Sequence, residues 1–167
     1  FHNSIVSVLS KKDKEERALI INTVQFIVTL SLLIISLVIF LLANQIINFT
    51  APGLNEITHK VAVIQLKVMA PIVLFSGLIG ISFGSLNSIG EFLIPSISPI
   101  FSSITIIFFI GIFWLQEKQL INNQEIILKG GLILGVATLL GAIFQWGIQL
   151  PTLIKKKILN LNSKIEL

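Results

Sequence analysis

"VMAPIVLFSGLIGISFGSLNSIGEFLIPSISPIFSSITIIFFIGIFWLQ", Val68 to Gln116, carries one charged side chain, Glu91, between two long apolar runs. A helix needs about 20 apolar residues to cross a bilayer core of roughly 30 Å. Each run exceeds that, so both read as membrane spans and "NSIGE" reads as the turn between them. Working outward, Asp, Glu, Lys and Arg are also missing from Ala18 to Asn55 and from Gly130 to Ile154. Four charge-free runs predict an all-α integral membrane protein with four transmembrane helices. Composition agrees: 54% of residues are apolar and 12% charged, against about a quarter charged in a soluble domain. Strands of a membrane barrel alternate in polarity over about ten residues, and these runs do not.

The chain divides into three parts. Residues 1–17 hold the end of a preceding helix, "FHNSIVSVLS", and the loop "KKDKEER"; 18–154 hold the bundle; 155–167 form a basic tail. The spans are expected at about 18–49, 61–87, 94–115 and 128–154. Short loops make sequential helices antiparallel neighbours. The first run is too long for a perpendicular helix, so it tilts or leaves a helical end in the headgroup zone. Pro52-Gly53 is turn chemistry. Asn87, Ser88 and Gly90 satisfy backbone groups where two helices end. Pro95 suits a first helical turn, and Pro99 is expected to bend or loosen that start.

Lys and Arg in short loops set orientation. Lys11, Lys12, Lys14, Arg17, Lys155, Lys156, Lys157 and Lys164 flank the bundle's two ends, which four crossings place on one side with the Glu91 turn. Lys60, Lys67, Lys118 and Lys129 belong to the other side or its border. The larger group puts both ends in the cytoplasm. The net charge of +4 is accounted for by these flanks, without interleaved aromatics, so nucleic acid is not an expected partner. There is no cysteine, which removes disulfides and thiol chemistry.

No enzyme site is visible. His2 and His59 fall on opposite sides of the membrane, every acid lies in a loop or tail, and no metal or cofactor is expected. The polar residues inside spans carry more information. Ser76, Gly80, Gly84 and Ser88 recur every four residues, a stripe that lets helices approach closely in lipid, either as static packing or as a sliding surface. Gly131 and Gly135 begin a similar series. Gln145 and Gln149 must face protein or water, because amides are costly in lipid; they are either interhelical glue or substrate-facing. Lys67 lies well inside its span, where it either snorkels outward or lines a cavity for an anion. Pro71, four residues on, leaves the Lys67 carbonyl without its helical N–H and predicts a kink.

Taken in order, "TAPGLNE", "LKVMAPIVLFSGLIGISFGSLNSIGEFLIPSISPIFSSI" and "GAIFQWGIQLPTLIKK" resemble the lipid II flippases of the MurJ/MviN type, members of the multidrug/oligosaccharidyl-lipid/polysaccharide exporter superfamily. The likeness takes in "FHNSIVSVLS" and so nearly the whole chain. It implies two six-helix lobes around a central cavity, with this chain supplying helices three to six of the first lobe in a bacterial inner membrane. It also implies alternating access and an undecaprenyl-pyrophosphate-linked peptidoglycan precursor as substrate, with membrane lipids and the rest of the transporter as partners. The family's cavity arginines and sodium-site residues lie in segments this chain does not contain. Two positions depart from the family: Ser7, where Pro is common, and Glu91, where a basic residue is common. The substrate-path or gate candidates are Lys67, Pro71, Asn87, Glu91, Gln145 and Gln149. Other readings are another lipid-linked oligosaccharide flippase, a drug exporter of the superfamily, or a small non-transport membrane scaffold.

Overall fold

The computed structural model describes residues 13–116 and 124–159; Ser7, His2 and the basic residues 11, 12, 118 and 164 lie outside the described residues. The helices are α1 (Lys14–Leu41), α2 (Ala43–Thr50), α3 (Glu56–Met69), α4 (Ile72–Asn87), α5 (Leu93–Gln116), α6 (Gln124–Gly147) and α7 (Leu150–Lys155). No strand occurs among the described residues. Four stretches are long and apolar enough to cross a membrane: Leu19–Leu41, Glu56–Asn87, Leu93–Gln116 and Leu128–Lys155.

Local chemistry explains where the helices begin and break. The first apolar run divides at Leu42, leaving the eight-residue α2 as a separate helix. Span 2 starts at Glu56, earlier than its apolar pattern, because the Asn55 side chain caps it: Thr58 N–H donates to Asn55 Oδ1 at 2.8 Å. Such a cap satisfies a backbone donor that the first helical turn leaves free. A Lys60–Glu56 pair one turn apart, 2.7 Å, reinforces that turn. Span 2 is then interrupted at Ala70–Pro71, and span 4 at Ile148–Gln149, ahead of Pro151. Span 3 is helical from Leu93 to Gln116, with Pro99 inside it.

Packing gives the lateral order span 1, span 2, span 4, span 3. Spans 1 and 2, and spans 3 and 4, are the antiparallel sequential neighbours. Spans 2 and 3 touch much less, because α6 packs on α5 along one side and on both halves of span 2 along the other. Glycines mark the close approaches. A Cβ on Gly141 of α6 would lie 3.1 Å from the Ser102 carbonyl oxygen and 3.2 Å from the Ser102 Cα of α5. Gly131 and Gly135 seat α3, with Gln65 3.6 and 3.4 Å from their would-be Cβ positions. Ile104, Ile107 and Phe108 of α5 and Leu33, Ile34 and Leu37 of α1 are exposed, which costs little where the solvent is lipid.

Two matching helix ends close the bundle at one face. At the end of α4, Glu91 N–H donates to Leu86 C=O (3.0 Å) and Gly90 N–H to Asn87 C=O (3.1 Å), with Gly90 at φ +80°. After α7, Ile158 N–H reaches Leu153 C=O (3.0 Å) and Lys157 N–H reaches Ile154 C=O (3.0 Å), with Lys157 at φ +55°. Both are Schellman caps, which consume carbonyls that a helix end leaves free. Ile21, Leu86, Leu153 and Ile158 form one buried cluster at this face. The start of span 1, the turn after span 2 and the end of span 4 therefore lie together.

Candidate functional site

The polar residues collect at two levels, both set by prolines. On span 2, Pro71 brings no N–H to the Lys67 carbonyl, and the helix restarts through Val73 N–H to Ala70 C=O (3.3 Å) and Leu74 N–H to Pro71 C=O (3.1 Å). One turn before the break, the half-buried Lys67 holds its Nζ 5.6 Å from the centre of the Phe40 ring of α1. A cation over an aromatic face is attracted by the ring quadrupole. Two residues earlier, and so about 200° around the helix, Gln65 lies on Gly131 and Gly135 of α6. Lys67 thus engages span 1 while Gln65 engages span 4.

The second level lies toward the Glu91 turn. Pro99 has no N–H for the Pro95 carbonyl, and the Ser98 hydroxyl takes its place, donating to Pro95 C=O at 2.9 Å. The Ser98 oxygen then accepts from Gln149 Nε2 at 2.9 Å, and the same nitrogen lies 3.3 Å from the Gln145 carbonyl. Ser98 and Gln149 are both fully buried. This chain of hydrogen bonds fastens the joint between α6 and α7 to the start of span 3. Of the two glutamines only Gln149 is inside it by its side chain; Gln145 takes part through its backbone and is half-buried. Nearby, Glu91 forms an ion pair with Lys156, both partly exposed. The acid between the two apolar runs is therefore matched by a lysine after span 4.

The small-residue stripe of span 2 is not one contact face. Ser76 is exposed, and nothing lies within 4 Å of a Cβ built on Gly80. Gly84 is buried, and Ser88 is half-buried, its hydroxyl donating to the Ser85 carbonyl at 2.7 Å. The residue that seats span 1 is Gly77, whose would-be Cβ collides with the Leu32 side chain and lies 3.4 Å from Val28. The reason is angular: Gly77 is about 60° further round the helix than Gly80, and α1 approaches from that direction.

Among the sequence candidates, the structure brings Asn87, Glu91 and Gln149 to one end of the bundle and leaves Lys67 and Pro71 further along span 2. Sequence reasoning passed over Ser98, Phe40, Gly77 and the buried Ser82 and Ser85. Ser98 had a readable signal, being a hydroxyl immediately before a proline whose missing N–H frees a carbonyl within reach. Phe40 had none, since its span is apolar on all sides. Among the described residues no group of His, Cys, Asp and Glu is placed to hold a metal ion.

Comparison with known proteins adds an independent line. The family model for the lipid II flippase MurJ matches residues 1–166. The chain is 46% identical over 146 residues, 87% of its length, to a probable lipid II flippase MurJ of Synechocystis sp.. It is 33% identical over 168 aligned positions, 95% of its length, to a probable lipid II flippase MurJ of Buchnera aphidicola subsp. Schizaphis graminum. The chain spans 27% and 30% of the lengths of these two relatives. No solved structure matches it significantly.

Proposed function

The chain belongs to the lipid II flippase MurJ family, and from that membership we propose that it forms part of a flippase that carries a lipid-linked peptidoglycan precursor across a bacterial inner membrane. The observation that carries this reading is the family match over residues 1–166, on a chain whose four spans make it a multi-pass membrane protein. No reaction is catalysed; the substrate, an undecaprenyl pyrophosphate carrying sugars and peptide, changes leaflet intact. The transport cycle is alternating access between two lobes, with this segment as four helices of the first and the remainder of the transporter completing the cavity.

In this orientation both ends and the Glu91 turn face the cytoplasm. The lysine and arginine distribution supports it, and so does the clustering of Ile21, Leu86, Leu153 and Ile158, which holds those three points at one face. The breaks at Pro71 and Gln149 suit helices that bend as the cavity changes its opening. Lys67 supplies positive charge beside the first break, in the outer half, where a pyrophosphate passes on its way out. Ser76 and Gly80 leave span 2 with a small-residue face that the described residues do not cover closely, suited to the cavity or to the opposing lobe.

The test is complementation. Cells depleted of their own lipid II flippase are given the full-length protein carrying this segment, and the precursor reaching the outer leaflet is measured with an added enzyme that cleaves it. Restored exposure of the precursor and restored growth are expected. Normal insertion of the protein, with the precursor still inaccessible from outside, refutes the reading.

A further inference from the structure

Spans 3 and 4 are each weakened at one point, and at each a side chain takes the place of a backbone donor. In span 3, Pro99 leaves the Pro95 carbonyl without an N–H, and the Ser98 hydroxyl donates to it at 2.9 Å. In span 4 the defect is of another kind. An α-helix would direct the Gln149 N–H to the Gln145 carbonyl four residues back, but it goes to the Trp146 carbonyl at 3.0 Å. The Gln145 carbonyl is met by the side chain of the same residue, with Gln149 Nε2 at 3.3 Å. Pro151 brings no N–H to the Gly147 carbonyl, and the helix restarts at Leu150.

The two substitutes are bonded to each other. Gln149 Nε2 carries two N–H groups, one for the Gln145 carbonyl and one for Ser98 Oγ at 2.9 Å. Ser98 has a single proton, committed to the Pro95 carbonyl, and accepts from Gln149 on a lone pair. Accepting one hydrogen bond polarises the hydroxyl and strengthens the bond it donates. Both residues are 0% exposed, so bulk water does not replace a lost partner. One turn further along α5, Ser102 abuts Gly141 of α6 too closely for a methyl group. That contact fixes the two helices in register, so a change at the Gln149 joint reaches Ser98 instead of being absorbed by sliding.

We propose that the Gln149–Ser98 bond couples these two weak points, so that the break in span 4 secures span 3 at Pro99. In the arrangement described, span 4 is interrupted at Ile148–Gln149, the Gln149 amide is held on Ser98, and the start of span 3 is helical. Straightening span 4 returns the Gln149 N–H to the Gln145 carbonyl. That displaces Nε2 from the carbonyl and withdraws the amide from Ser98. The hydroxyl is then free to leave the Pro95 carbonyl, and span 3 loosens at Pro99. One weak point is therefore secured while the other is open. The coupling belongs to the mechanics of this segment and holds whatever lipid is carried.

The test is amide hydrogen–deuterium exchange of the full-length protein in lipid nanodiscs, read by mass spectrometry over residues 93–104 and 144–156. Gln149→Leu keeps the bulk and removes the amide; it should speed exchange at residues 96–101 by about fivefold, as the loss of one hydrogen bond gives, although Ser98 is 51 residues away. Pro99→Ala, at an exposed position, restores a backbone N–H to the Pro95 carbonyl and makes Ser98 dispensable there. In that background Gln149→Leu should leave residues 96–101 at the Pro99→Ala rate. If Gln149→Leu fails to fold, Ser98→Ala supplies the reading from the other side: faster exchange at residues 148–150 supports the coupling, and no change there overturns it. Unchanged exchange in span 3 of folded Gln149→Leu also overturns the proposal. So does equal acceleration with and without Pro99, which would make the bond ordinary packing between two helices.

Discussion

The sharpest test of the bundle's packing is a single methyl group at Gly141. A Cβ there would sit 2.8 Å from the Ser102 Oγ, 3.1 Å from its carbonyl oxygen and 3.2 Å from its Cα. The hydroxyl can rotate away; the carbonyl and Cα cannot move without moving α5. Restoring ordinary contact means parting α5 and α6 by a few tenths of an ångström along the largest interface in the bundle. Overpacking of this kind costs about 1–3 kcal/mol. Against it stands the gain of about 1 kcal/mol from replacing glycine by alanine in a helix. Gly111, on α5, supplies the control, since nothing lies within 4 Å of a Cβ there and Gly111→Ala collects only the propensity gain. Gly141→Ala should therefore be less stable than Gly111→Ala by about 1–3 kcal/mol, measured by reversible unfolding of the full-length protein in bicelles. Adding Ser102→Gly should recover only part of the loss, because it removes the hydroxyl and leaves the backbone contacts. Equal stability of the two alanine variants would mean that α5 and α6 do not approach as closely as described.

Lys157, exposed and at φ +55°, occupies the position of a Schellman cap that glycine takes without strain, so Lys157→Gly should raise stability by about 1 kcal/mol; a thermal melt showing a loss contradicts that cap. Gly77→Leu should damage folding by colliding with α1, whereas Gly80→Leu should leave expression and monodispersity near the parent's; the reverse order would place the α1 contact on the wrong face. For orientation, cysteines at Gly53 and Lys155, both exposed, are treated in intact cells with an impermeant thiol reagent, and only the first should react. Lys67→Gln should reduce transport more than Lys67→Arg, because Arg keeps the positive charge. Phe40→Leu separates charge from packing: if it equals Lys67→Gln in transport and stability, the lysine is an anchor to span 1 and no more.

What was legible in advance follows from what a membrane charges for. A charged residue at the centre of a span costs about 2.5–3.5 kcal/mol on insertion scales, so the charge-free runs led to the expectation of four spans, and four stretches of the described structure are long and apolar enough to cross a membrane, though the first of them stops at Leu41 and the second starts at Glu56. Proline removes an N–H wherever it stands, so the break at Pro71 was expected; the break at Ile148–Gln149, ahead of Pro151, was not, and at Pro99 the Ser98 hydroxyl covers the freed carbonyl and the helix continues. Faces were harder. In water a helix announces its buried side by being apolar there, but in lipid both sides are apolar, and glycine is tolerated on either. That is why a four-residue stripe through Gly80 looked like an interface when the contact runs through Gly77. Amides differ from glycines in this respect, since an amide facing lipid is penalised and one facing protein is not. Gln149, which reaches Ser98 across 51 residues of sequence, and Gln65, which lies on Gly131 and Gly135, both mark span-4 contacts. Polar side chains within spans are therefore the better guide to which helix meets which, and the small residues opposite them show only how closely.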